Sequence, residues 1–150
     1  MTVEPVVEFD RSVLGKEVDG GTFTITREKI VAFAKAAGET NPIYFDDAAA
    51  KKAGYASIIA PPTYVNTLII GSGRPDPGVK FGTLGFHSGQ NLENRLPVKP
   101  GDTIRAVTSL EDVYPKTGRA GTMVFIVWKT ELTNQNGEVI AVARESFVRR

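Results

Sequence analysis

One histidine, no cysteine and a short polar run behind a helix-forming segment are where this sequence could do chemistry. The run is Gly38-Glu39-Thr40-Asn41-Pro42-Ile43-Tyr44, and it sets a carboxylate, an amide and a phenol close together. A carboxylate at neutral pH takes a proton. A phenol, which titrates near about 10, gives one and is a poor base. His87, with an ordinary imidazole value of about 6.5, can do either. Each has a plainer reading beside the chemical one. Glu39 can be a solvated residue following a helix. Asn41-Pro42 can be a turn in which the amide caps local backbone and proline fixes φ. Tyr44 can be a packed aromatic with its hydroxyl satisfied, and His87 a structural strand residue.

The absence of cysteine excludes disulfides, thiol nucleophiles and thiolate metal sites, and a single histidine argues against zinc. No organic cofactor or metal is implied. The formal net charge is +1 with both signs interspersed, so nucleic-acid binding has no electrostatic support. Lys51, Lys52 and Arg74 could meet a phosphate, or simply be solvated. No apolar run approaches the ~18 residues of a membrane helix. Met1-Thr2-Val3-Glu4-Pro5 lacks the basic and apolar regions of a signal peptide. The expectation is a soluble, cytoplasmic protein with no nucleic-acid or membrane partner.

The elements that must position these residues follow from periodicity. The 150 residues suit one domain over 1–150. The first ~20 are expected to be irregular, closing on the turn signal Asp19-Gly20-Gly21 ahead of a β stretch, Thr22–Ile25. Thr26 is a suitable N-cap for a helix from Arg27 to Ala37. Its apolar stripe is Ile30, Phe33, Ala34 and Ala37, and Gly38 can end it. Asp46 and Asp47 open a short second helix through Lys52. Pro61-Pro62 open a third, Thr63 to Ile70, with Tyr64, Val65, Leu68 and Ile69 on its buried face. Four strands follow: 83–95, 102–113, 122–132 and 138–148. They are separated by Lys99-Pro100-Gly101, Lys116-Thr117-Gly118 and Asn136-Gly137. Met123–Trp128 is apolar on both faces and so should be central. Helices followed by antiparallel strands make an α+β fold, with the sheet curled around the third helix.

Two stretches carry a family resemblance. Ala36-Ala37-Gly38-Glu39-Thr40-Asn41-Pro42-Ile43-Tyr44 resembles the signature of MaoC-like (R)-specific enoyl-CoA hydratases, a Gly-Asp-x-Asn-Pro-hydrophobic-His run after a helix. Phe86-His87-Ser88-Gly89-Gln90, with Arg95-Leu96-Pro97-Val98-Lys99-Pro100-Gly101-Asp102-Thr103-Ile104, resembles the strand and Pro-Val-x-x-Gly-Asp turn of the same family. The His-x-Gly-Gln element and Ile59-Ala60-Pro61-Pro62-Thr63 resemble its fatty-acid-synthase-like N-terminal dehydratase branch. The resemblance covers about residues 22–148. It implies a hot-dog fold, an antiparallel sheet wrapped around a central helix. It further implies interconversion of trans-2-enoyl and (R)-3-hydroxyacyl thioesters on CoA or acyl carrier protein. A homodimer, or a heterodimer with a second hot-dog subunit, is expected.

That chemistry needs a base for water, an acid for the α-carbon and donors for the enolate oxygen. The resemblance assigns the acid–base pair to Glu39, where the family has Asp, and Tyr44, where it has His. His87 is a further candidate base. Glu39 carries one extra methylene, and a ~1 Å displacement of a catalytic group can cost on the order of 100-fold in rate. The family's His-Gly at the start of the central helix is Pro61-Pro62 here. Prolines donate no N–H, which leaves Thr63 and later amides as donors. Substrate binding is assigned to Asn41, Pro62 and Thr63, while Arg95 and Asp102 are expected to fix the strand and turn. Three functions follow: a hydratase or dehydratase with a Glu/Tyr pair, a non-catalytic acyl-binding subunit of a heteromeric dehydratase, and, against the whole-chain signature, a thioesterase using Glu39 alone.

Overall fold

The computed structural model describes residues 3–150; Met1 and Thr2, part of the N-terminal stretch read above, lie outside it. After strand β1 (Val18–Thr24), Thr26 caps helix α1 (Arg27–Ala36), its Oγ1 accepting from the Lys29 N–H at 3.3 Å. Ile30 and Ala34 are fully buried and Phe33 partly so, as the stripe requires, whereas Ala37 is exposed at the C-cap. Asp46 caps the short helix α2 (Asp47–Lys52), accepting from the Ala48 N–H. A 3-10 turn, Pro62–Tyr64, leads into helix α3 (Val65–Gly71). The strands β2 (Gly85–Asn94), β3 (Thr103–Gly118), β4 (Gly121–Thr133) and β5 (Val139–Arg149) complete the chain.

The five strands form one antiparallel sheet in the order β1-β3-β4-β5-β2, which puts β4 in the middle. Side chains alternate across a strand, so inward positions recur every second residue. Ile104 and Ala106 of β3, Leu132 of β4, and Ala141 and Ala143 of β5 enter one apolar cluster with Tyr64, Val65, Leu68 and Ile69. The third helix is therefore the central one, with the buried face expected of it. Asp102 is buried beneath the Lys99–Gly101 turn. It accepts from the Lys99 N–H at 3.0 Å and the Gln135 amide at 3.1 Å, the structural role its position suggested.

Two expectations are corrected. Asp19-Gly20-Gly21 is not a turn but an irregularity inside β1, with Gly21 at φ +118°. Gly20 has no Cβ because a Cβ there would lie 3.1 Å from Ala106 Cβ and 3.2 Å from Ser72 Cβ. The Gly73 N–H donates to the Gly20 carbonyl at 2.8 Å, which ties the exit of α3 to this close approach. Nor does Lys116-Thr117-Gly118 turn the chain: β3 runs on to Gly118, and residues 119–120 make the turn. Tyr114 and Phe125 face each other across the two strands and stack with centroids 5.2 Å apart, extending the hairpin. Pro115 is tolerated because β1 pairs β3 only up to Thr108, so β3 is an edge there.

β2 closes the far side of the sheet, and none of its ten residues is buried. Phe86 on it, with Leu84 just ahead of the strand, leaves apolar surface at an open edge. Ile69 is wholly enclosed between α3 and the sheet. Ile69→Ala should therefore lower unfolding free energy by about 2–5 kcal/mol in urea denaturation, while Ile70→Ala, on the exposed side of the same helix, should change it by less than about 0.5 kcal/mol.

Candidate functional site

Gly38, at φ +73°, ends α1, and the Glu39 N–H turns back to the Ala34 carbonyl at 2.9 Å. Glu39 is half-buried, and its carboxylate takes no hydrogen bond among the described residues. Asn41 Oδ1 accepts from the Ile43 N–H at 3.2 Å, starting the 3-10 turn Pro42–Tyr44, so this oxygen is engaged in local backbone. The turn is held from behind. Arg27 grips Asp47 through both carboxylate oxygens at 2.9 and 3.0 Å and donates to the Phe45 carbonyl. Asp47 also accepts from the Ile58 N–H at 2.9 Å, and that bond, with Arg27 second, holds its carboxyl below the usual carboxylate range. Tyr44 is pushed the other way. Burial raises its phenol above the ordinary value, and the negative charge of Glu39 adds to the rise, with Tyr55 a smaller contributor. Tyr44 is thus kept protonated, a donor and not a base.

Tyr55 joins this cluster to a cleft of about 210 Å³ at the N-terminal end of the central helix. Its walls are largely apolar, formed by Ala60, Pro61, Pro62, Val65 and Leu96. Pro62 faces the cleft with no N–H to offer, and the Tyr64 N–H is taken by the Pro61 carbonyl at 2.9 Å. Thr63, exposed beside the cleft, carries the remaining backbone donor of the turn.

His87 stands elsewhere. Asn94, at the end of β2, lines the first cleft, and His87 lies seven residues back along the strand, roughly 20 Å at the usual rise. There His87 Nε2 meets Glu145 Oε2 at 3.1 Å, and its ring packs edge-on against Phe147. Arg74 pairs with the other oxygen of Glu145. The guanidinium rests on Trp128 and Phe147, 5.5 and 5.1 Å from their centroids. Glu145 is only 7% exposed and His87 44%. His87, Glu145, Asn66, Gln90 and Ile70 line a second, more open cleft of about 740 Å³. The sequence-derived candidates therefore divide: Glu39, Tyr44 and Pro62 gather at one end of the fold with Asn41 and Thr63 beside them, and His87 is held at the other.

Glu145, Asn66 and the bound role of Arg74 were missed in the sequence. The available signal for Glu145 was an acidic residue on the same strand face as Ala141, Ala143 and Phe147. Arg74 is neither solvated nor free for a phosphate, because Glu145 already holds it.

The sequence matches the family described as FAS1-like, dehydratase domain region, over residues 12–143. The chain belongs to that family. A UPF0336 protein of Saccharopolyspora erythraea is 30% identical over 148 residues, covering 94% of this chain and 91% of that protein. Among solved structures, the C-terminally truncated HadBC (3R-hydroxyacyl-ACP dehydratase) complex of Mycobacterium tuberculosis superposes with a TM-score of 0.75 at 22% identity, covering 93% of this chain and 98% of that one. The R-hydratase PhaJ1 of Pseudomonas aeruginosa gives a TM-score of 0.69 at 24% identity, over 89% of this chain and 79% of that one. These structural likenesses establish the hot-dog fold for this FAS1-like dehydratase domain. Among the described residues no helix is long and apolar enough to cross a membrane.

Tyr44 gives a direct check on the first cluster. With carbon-13-labelled tyrosine, its phenol should titrate above about 10, and Glu39→Gln should bring it only part of the way back, because burial is the larger cause.

Proposed function

We propose that this chain binds acyl thioesters and takes part in the reversible hydration of trans-2-enoyl to (R)-3-hydroxyacyl thioesters, on CoA or an acyl carrier protein. The observation that carries the reading is the apolar cleft at the N-terminal end of the central helix, reached through Tyr55 from the Glu39–Tyr44 cluster. The family assignment supports the reaction class. Beside the first cleft, across Tyr55, Glu39 takes the proton from water and Tyr44, held protonated, supplies one. Thr63 offers its N–H to the thioester oxygen at the positive end of the helix turn. Asn41 shapes the turn that carries both side chains.

A second reading has a specific observation in its favour. Pro61 and Pro62 remove the donors that an enolate oxygen needs at this place, so the chain would hold the acyl group while a partner supplies the acid–base pair. Both readings put a second hot-dog chain against β2, where the open edge and Phe86 offer backbone pairing and apolar contact. That partner is a second copy or a related chain.

Two outcomes are expected. The purified chain should hydrate crotonyl-CoA or a longer trans-2-enoyl-CoA, followed by loss of enoyl absorbance, and Glu39→Gln should lower kcat by about 100-fold or more. Binding of the thioester with no turnover would establish the acyl-binding reading instead. Gln90→Pro on β2 should convert the assembly to monomers in analytical ultracentrifugation, since the register turns the Gln90 N–H to the open side of the strand and proline deletes it. A sedimentation profile unchanged by it would rule out pairing through this edge.

A further inference from the structure

The first cleft is graded from a polar rim to an apolar floor. Tyr55, Asn94 and Arg95 stand at the rim and are exposed. Ile59, Ala60, Val65 and Val98 form the floor; all four are buried, and none carries a polar side-chain atom. A ligand that keeps a polar head at the rim therefore lays its apolar tail on the floor. Behind the floor the packing is continuous. Ala60, Val65 and Val98 belong to one buried cluster with Tyr64, Leu68 and Ile140, so a tail that reaches them goes no deeper.

The walls are stiff as well as apolar. The Ala60 N–H donates to the Val98 carbonyl at 2.8 Å, which ties the segment ahead of the central helix to the segment after β2. The Arg95 and Leu96 N–H groups both donate to the Ile140 carbonyl, at 2.8 and 3.2 Å, which pins that second segment to β5. Pro61, Pro62 and Pro97 fix φ in both walls. Walls held in this way do not spread for a longer chain. An apolar cavity of about 150 Å³ takes benzene, with its six non-hydrogen atoms. On that scale the cleft of about 210 Å³ takes roughly eight. A hexanoyl thioester supplies that number in six carbons, the carbonyl oxygen and the sulfur.

We propose that the first cleft is a chain-length gauge: it buries a linear acyl group of up to about six carbons, and every methylene beyond that stays in water. The proposal deepens the thioester reading and rests on it for the polar head alone. Each methylene taken out of water is worth about fourfold in affinity. Affinity therefore climbs by that factor per carbon as far as hexanoyl. From there to decanoyl it is flat, because the rim is open and the added carbons remain hydrated. Ala60 and Val65 set the limit. Ala60 is the smallest side chain on the floor, and each carbon added to it takes the room of one on the ligand. Val65 stands at the first position of α3, and removing its two methyl groups returns the room of about two carbons.

Two homologous series test this without any hydration step. Saturated CoA esters from butyryl to decanoyl are titrated into the full chain by calorimetry. Straight-chain alcohols from butanol to decanol, which lack the thioester, are followed by the methyl carbon-13 shifts of Ala60 and Val65. Butyryl to hexanoyl should gain about 15-fold in affinity, and hexanoyl to decanoyl less than about twofold. The alcohols should level off near heptanol, which also has about eight non-hydrogen atoms. Ala60→Val should move the ester plateau down to about butyryl and Val65→Ala up to about octanoyl, with far-ultraviolet circular dichroism native in both. A gain that continues unbroken through decanoyl, or a plateau that neither substitution moves, overturns the proposal and leaves the thioester reading intact. Alcohols that level off near heptanol, beside CoA esters that do not bind, uphold the limit and remove the thioester reading. Binding of neither series overturns both.

Discussion

The fold depends on covering a short apolar helix with a long sheet. The helix α3 has seven residues, about 10 Å of rise, while β3 alone has sixteen, on the order of 50 Å. Burying Tyr64, Val65, Leu68 and Ile69 against Ile104, Ala106, Leu132 and Ala141 supplies the core. At roughly 25 cal/mol per Å² of apolar surface this contact is the main favourable term. The mismatch in length means that the helix cannot fill the concave face. The space it leaves is lined in part by other residues and forms the two clefts, one at its N-terminal end and one along its Asn66–Ile70 side and past its C-terminal end.

The two ends are finished differently, and the difference is chemical. At the N-terminal end the chain places prolines, aliphatic side chains and a tyrosine, so the cleft is apolar and poor in donors. At the C-terminal end the polypeptide is drawn down onto the sheet. Ser72 Oγ donates to the Leu68 carbonyl at 2.7 Å, Thr108 Oγ1 donates to the Gly73 carbonyl at 2.7 Å, and Gly20 gives the room for this descent. The next residue is Arg74, which is delivered onto the rings of Trp128 and Phe147 and into contact with Glu145. A buried carboxylate is costly unless it is paired and hydrogen-bonded, and Arg74 and His87 meet that need together. The polar cluster and the close glycine contact are thus parts of one arrangement.

The same economy appears around Glu39. Asn41, Thr26 and Asp46 are all spent on capping short turns of helix, and Arg27 with Asp47 fastens the 42–47 segment to the connecting segment at Ile58. Among the described residues, what this capping leaves there without a side-chain hydrogen bond includes the Glu39 carboxylate and the Tyr44 phenol. The rigidity lies in the backbone, and the reactivity in the two side chains that it presents.

The sequence by itself determined the element order, the central place of Met123–Trp128, the buried face of the third helix and the family, because periodicity, caps and turn residues act over a few positions and are written locally. It also marked Glu39, Tyr44 and His87 as the residues with chemistry to offer. It misread Asp19–Gly21 and Lys116–Gly118 as turns, since a glycine that permits a turn also permits a bulge or a close strand contact. Only the three-dimensional packing decides which of these occurs. Tertiary structure alone placed His87 far from Glu39 and beside Glu145, fifty-eight positions away in the chain. It alone joined Arg74 to that pair across seventy-one positions. Contacts of that span are set by sheet register and by where a helix ends against the sheet, and no local pattern records them.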